Sequence, residues 1–271
     1  MHRYTLSFIV AVLIVYFVVC IVYFVDYLTR KKLHTKCFVI NLEKNKLRLE
    51  RFTYFYNNSD ISVLPIETFN AINGRELDPK KYITEHAYET LLENENNRFR
   101  TRHYQLTRGA IGCYLSHTAM YQKLLDDPKY DYYIIFEDDA AILPKILDKL
   151  NLVMNYAPAD WDMLLLAPIM EVLAEKPIDA NNHMFRKLDT FWGLCGYVIN
   201  KKGARKFMEG FNKKRISMQI DSKMSYMILH GDFNVYAFNE KTIWHDRSLG
   251  TDIQMQLKKI QGVNPFYIED L

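Results

Sequence analysis

The feature that most constrains this chain is the run Tyr130 to Phe136, Tyr-Asp-Tyr-Tyr-Ile-Ile-Phe, which ends directly in Glu137-Asp138-Asp139. Aromatic and β-branched residues over this length specify a buried strand. Three acids at its carboxyl end are costly to place there, and in open α/β sheets ligands bind at carboxyl ends of strands. Glu137 and Asp139, two apart, can reach one side of the strand end and hold a hard divalent ion through oxygen. The plain alternative is a solvated acidic turn whose charge meets the dipole of a helix starting at Ala140. Ile134-Ile135-Phe136 ties the acids to the edge of a core.

The rest of the pattern is α/β. Lys36 to Leu42 is a short apolar, β-branched run followed by the charged, helix-favouring Glu43 to Phe52, a strand and then a helix. A second strand is expected over Ile61 to Phe69, closed by the turn Ala71-Ile72-Asn73-Gly74. Leu77 to His103 is polar and reads as a helical insertion or a loop over the sheet. Leu106 to Leu125 reads as a buried helix. Helix is expected over Ala140 to Met154, Lys201 to Phe211 and Ser217 to His230. Strands are expected over Trp161 to Leu166, Trp192 to Ile199 and Phe233 to Phe238, and an irregular, then partly helical tail from Trp244.

Charge and cysteine content exclude some functions. Residues 36–271 carry 31 basic and 31 acidic side chains, so the body lacks the cationic excess that a phosphate backbone requires, and nucleic acid is excluded as a partner. Cys20, Cys37, Cys113 and Cys195 are too few for a disulfide scaffold and show no close Cys/His zinc spacing, so they read as free, buried thiols.

Leu6 to Val25 is uncharged and free of proline for twenty residues. As a helix it covers about 30 Å, the hydrocarbon thickness of a bilayer, and no small-residue cleavage site follows it. The expected organisation is a tail over 1–5, a transmembrane anchor over 6–25, a basic juxtamembrane stem over 26–36 and one domain over 37–271.

Several blocks match a known family in order: Val39-Ile40-Asn41-Leu42 with Arg48 and Arg51; Ala71-Ile72-Asn73-Gly74; Leu106-Thr107-Arg108-Gly109-Ala110-Ile111-Gly112-Cys113-Tyr114-Leu115-Ser116-His117; Phe136-Glu137-Asp138-Asp139; Trp161-Asp162; Gly196-Tyr197 with Lys202-Gly203-Ala204; Asp221; and Asp252-Ile253. Over about residues 37–254 the chain resembles glycosyltransferase family 25, the lipopolysaccharide and procollagen-galactosyltransferase-like enzymes. The resemblance implies a GT-A type α/β fold with a central mixed sheet, a UDP-sugar donor (commonly UDP-galactose), a glycan or protein acceptor, and an Mn2+ ion on the acidic triplet. It also implies inversion at the sugar carbon, which needs a general base. Ala110 stands where many members carry Glu, so any sugar contact from that carboxylate is missing here.

On that resemblance Asp139 and Glu137 are metal ligands and Asp138 turns to the donor. His245 would complete the metal shell, or it is a surface histidine beside Trp244 and Asp246. Asn41 and Asn73 suit nucleotide-binding loops or are turn residues. Ser116 and His117 point about 100° apart on a helix, so they cannot pair as nucleophile and base; an orienting role near the donor is expected, against a buried histidine. Asp221 is the candidate base, with an N-cap of the segment from Ser222 as its alternative and Asp252 as its rival. An inactive membrane-anchored scaffold would have lost the acidic triplet, and a phosphohydrolase would show a second His/Asp cluster. Topology is contested: Arg30, Lys31 and Lys32 after the helix favour a cytosolic body, whereas the sequon Asn57-Asn58-Ser59 and the resemblance favour a lumenal one in a eukaryotic cell, which is the expectation taken.

Overall fold

The structure is a computed structural model that describes residues 12–22, 34–166, 170–173, 185–212, 214–239, 241–246, 248, 250–253 and 255–258. Residues 12–22 are helical (α1), and their apolar side chains are exposed, Tyr16 at 68% and Phe17 at 66%. Among the described residues no helix is long and apolar enough to cross a membrane. The ends of the expected anchor, the tail over 1–5 and most of the stem lie outside the described residues.

The body is α/β. Its elements run β1 (Lys36–Asn41), α2 (Lys46–Asn57), β2 (Ile66–Asn70), α3 (Glu85–Asn97), α4 (Arg108–Asp126), β3 (Tyr132–Glu137), β4 (Ala140–Ile142), α5 (Ile146–Tyr156), β5 (Met163–Leu165), β6 (Met170–Leu173), β7 (Phe185–Trp192), β8 (Gly196–Asn200), α6 (Lys201–Phe211), α7 (Ile220–Leu229), β9 (Val235–Phe238) and β10 (Ile243–His245). Eight strands form one mixed sheet in the order β2-β1-β3-β8-β5-β9-β7-β6, and β10 pairs with β4 in a small second sheet. β2, β1 and β3 are parallel, while β8 runs antiparallel to both β3 and β5.

Alternation along β1 and β3 explains why both are apolar at nearly every position. Phe38, Ile40, Tyr133 and Ile135 face a core built with α4, α6 and α7. Cys37, Val39, Ile134 and Phe136 face a second core built with α2 and α5. Burial on both faces removes the polar alternation of a half-exposed strand. From β1 the chain crosses to β2 on one side and returns through α4 to β3 on the other. This reversal opens a crevice at the carboxyl ends of β1 and β3, where Asn41 and Glu137 lie.

Four expectations need correction. Ala140 to Ile142 is strand rather than helix: Leu143 precedes Pro144 and is kept out of helical geometry, and α5 begins only at Ile146, its Leu147 N–H donating to Asp60 Oδ1 at 2.9 Å. The run Trp192 to Ile199 splits at Gly193, whose φ of 90° turns the chain between β7 and β8. Ile61 to Phe69 is a 3-10 turn over Asp60–Val63 followed by β2. Nor are all four thiols buried, since Cys20 is exposed and Cys113 half-buried. Leu77 to His103 takes the helical alternative, as a 3-10 turn and then α3 with Thr84 as its N-cap. The tail beyond Lys258 lies outside the described residues.

Two glycines set how closely the Ile72-Asn73-Gly74 loop approaches α4. A Cβ on Gly112 would lie 2.3 Å from the Ile72 carbonyl oxygen and 2.5 Å from Gly74 N, both backbone atoms that cannot swing aside. Gly112→Ala is therefore expected to cost about 1–3 kcal/mol of stability, read as a lower urea midpoint with an unchanged slope. An unchanged midpoint would show that the loop can move away freely.

Candidate functional site

Glu137 ends β3, and its N–H donates to the Cys195 carbonyl at 2.9 Å. Asp138 and Asp139 then turn toward α2. Arg48, projecting from α2, lays its guanidinium between them, pairing with Asp138 Oδ1 and with Asp139 Oδ2 at 3.0 Å. Asn41 Nδ2 donates to Asp138 Oδ2 at 2.6 Å, tying the ends of β1 and β3 together. Burial pushes the Asp138 carboxyl up to about 6 despite Arg48 and Asn41. Asp138 is thus held by protein groups instead of being turned free toward solvent.

The short β4–β10 pair brings His245 to Asp139 across 106 positions of sequence. His245 lies opposite Ala140, and the Asp246 N–H donates to the Asp139 carbonyl at 2.7 Å. His245 Nε2 is 2.8 Å from Asp139 Oδ2. One ligand atom each from Glu137, Asp139 and His245 lie within 4.8 Å of one another. Asp139 Oδ1 is buried and has no hydrogen-bond partner among the described residues, an atom whose burial costs free energy unless something pairs with it.

Beside this cluster a cavity opens between β1, the Ala71–Gly74 loop and α4. Glu137, Asp138, Asn73, Ser116 and His117 all line it, together with Asn45, Arg48 and Asp252. Ser116 is a structural brace there, since its hydroxyl donates to the Gly112 carbonyl and accepts from Ile72 N–H at 2.8 Å. Asn73 caps its own turn: its Oδ1 accepts from Arg75 N–H and its Nδ2 donates to Glu76. His117 is fully buried, with Nε2 3.2 Å from Glu137 Oε1 and Nδ1 2.6 Å from the Tyr197 hydroxyl, which lies 3.0 Å from that of Tyr121. The Cys113 thiol is pushed well above its usual range by burial and then by the Glu137 charge, so it stands protonated.

The two candidate bases sit in different places. Asp252 is on the cavity wall, bonded by Lys44 Nζ at 2.8 Å and Asn45 Nδ2 at 2.6 Å; these contacts outweigh burial and hold it below the usual carboxylate range. Asp221 does not line that cavity. It lies in the first turn of α7, which begins at Ile220 after Gln219, so it is not the helix cap. Its Oδ2 accepts from Gly193 N–H at 2.9 Å and its Oδ1 from Ser222 N–H at 2.8 Å. Burial holds nearby His103 below the ordinary histidine range, though the Asp221 charge opposes this.

Three contacts were not anticipated: Arg48 between the aspartates, Lys44 and Asn45 on Asp252, and Cys113 with Tyr197 around Glu137 and His117. The four-residue spacing of Cys113 and His117 was a usable signal for the last.

Residues 34–224 match the sequence pattern of glycosyltransferase family 25, described as an LPS biosynthesis protein family, which is more than half of the chain. The chain belongs to glycosyltransferase family 25. A glycosyltransferase 25 family member of Anopheles gambiae is 28% identical over 177 residues, covering 63% of this chain and 28% of its own. Procollagen galactosyltransferase 2 of Homo sapiens is 27% identical over 176 residues, covering 63% of this chain and 27% of its own. The chain thus matches little more than a quarter of the length of either relative.

Proposed function

We propose that this family 25 chain is a metal-dependent, inverting glycosyltransferase of GT-A type that moves a hexose from a UDP-sugar to a glycan or protein hydroxyl. The observation that carries the reading is the convergence of Glu137, Asp139 and His245 at the crevice between β1 and β3. The buried, unpartnered Asp139 Oδ1 and the oxygen-rich donor set suit a hard divalent ion such as Mn2+. Such an ion, when bound, neutralises charge growing on the diphosphate as it leaves. Galactose is the first candidate sugar, because a human relative is named a procollagen galactosyltransferase.

Arg48 reaches both the acids and the cavity, so its guanidinium can turn from the aspartates to a phosphate oxygen of the donor. Asn41 and Asp138 keep the ends of β1 and β3 together under the donor, and Ser116 and Asn73 fix the loop that forms the opposite wall. Asp221 takes the proton of the acceptor hydroxyl as its oxygen bonds to the sugar carbon and the bond to the diphosphate oxygen breaks. The test is UDP release from a panel of UDP-sugars with Mn2+, with and without hydroxyl acceptors. Release that requires both ion and acceptor is expected; release indifferent to acceptor would mean hydrolysis and end the transfer reading.

The same reading places the body in the lumen of a secretory compartment, anchored by residues 6–25. An exposed apolar helix at 12–22 suits lipid better than water. Asn57 is exposed at the end of α2, so its side chain is accessible to solvent. Expression in a eukaryotic secretory host is expected to give an endoglycosidase-sensitive mass shift at Asn57 and a body protected from protease in sealed microsomes. A body digested in intact microsomes puts it in the cytosol.

A further inference from the structure

Glu137 belongs to a second constellation. Cys113 and His117 are four residues apart on α4, so both project from one face of the helix. Glu137 Oε1 lies 3.8 Å from Cys113 Sγ and 3.2 Å from His117 Nε2, and the three ligand atoms all fall within 4.8 Å of one another. Ligand atoms around a tetrahedral Zn2+ with bonds of about 2.0–2.3 Å sit about 3.3–3.8 Å apart, so this trio needs only small shifts to close on an ion. All three residues line the cavity, which leaves the fourth position open to it. His117 also has the outer support that metal-bound histidines use: Nδ1 is 2.6 Å from the Tyr197 hydroxyl, itself 3.0 Å from that of Tyr121.

We propose that Cys113, His117 and Glu137 form a second cation site, selective for a thiophilic divalent ion such as Zn2+, and that filling it competes for Glu137 with Asp139 and His245. The donor sets give the selectivity. Carboxylates and one imidazole suit a hard ion, whereas a thiolate beside an imidazole suits Zn2+ or Co2+. On binding, the Cys113 thiol releases its proton to solvent as the metal–sulfur bond forms. The His117 ring proton then sits on Nδ1 and donates to Tyr197. The ion binds whether or not the chain transfers sugar; only the competition for Glu137 rests on the function proposed above.

Co2+ is the probe, added to the full chain in detergent without substrate. A near-ultraviolet thiolate-to-cobalt charge-transfer band is expected, absent in Cys113→Ser. It should persist in Cys195→Ser, the control because the Cys195 thiol also feels the charges of Asp139 and Glu137. It should persist in Asp139→Asn, and Zn2+ should bleach it. Tyr197→Phe is expected to keep the band but weaken Co2+ binding about 10–100-fold. A wild-type protein that binds Co2+ without the band, or a band that survives Cys113→Ser, overturns the site. A measurement on the wild type needs no variant to fold: Zn2+ should slow maleimide alkylation of Cys113, mapped by peptide mass, where Mn2+ does not. Equal alkylation rates with and without Zn2+ also overturn it.

Discussion

Asp139→Asn is expected to lower transfer about 10²–10³-fold while the protein stays folded. The charge stabilisation a bound metal supplies to a transferring centre is several kcal/mol, and each 1.36 kcal/mol is tenfold in rate. Asparagine has the same shape but carries no charge, and its amide cannot offer two oxygens. Asp139 Oδ2 is already shared by Arg48 and His245, so Oδ1 is the atom left to reach an ion. The substitution either turns an NH2 toward those donors or removes the free oxygen. Stability should change little, because Arg48 keeps Asp138 as its partner. The check is UDP release against Mn2+ concentration, with circular dichroism as the fold control. A variant with wild-type turnover and an unchanged Mn2+ response removes Asp139 from the metal site.

What could be read from the sequence follows the range of the interactions involved. The strand ending in the acids was legible because Tyr133 to Phe136 are committed to two cores at once, and local composition records that. α4 was legible because its apolar residues recur at helical spacing against one core, and Thr107 marks its start by accepting the Ala110 N–H at 3.0 Å. β4 was not, since three residues carry no measurable period and its stability comes from pairing with β10, about a hundred positions away. Arg48 read only as a charge on an amphipathic helix; its place between two aspartates depends on how α2 packs over the end of β3. His245 could be named by resemblance alone, and the fold supplies the physical reason in the β4–β10 register. Asp252 and Asp221 could not be separated by sequence, because each needs to be known by what faces it.

The second large effect concerns Asp221, where two roles predict different kinetics. Its carboxylate accepts from Gly193 N–H and Ser222 N–H, and the Gly193 segment leads into Cys195, whose carbonyl receives the Glu137 N–H. It is thus joined through two short backbone links to the acid-bearing strand, yet it stays off the wall where the donor is proposed to lie. If it is the base, Asp221→Asn should lower kcat about 10²–10⁴-fold. The KM for the UDP-sugar should stay nearly unchanged, because the donor wall is untouched. If it only starts α7, the loss is that of one acid at a helix N-terminus, about 0.3–1 kcal/mol of stability, and turnover should hold once the protein is folded. Asparagine retains one acceptor oxygen for Gly193 or Ser222, so the loop should survive and the two readings stay separable. Initial-rate kinetics with varied donor and varied acceptor, alongside UDP affinity by calorimetry, decide between them. Donor affinity falling in step with kcat would assign Asp221 to the scaffold and move the search for the base to Asp252 on the cavity wall.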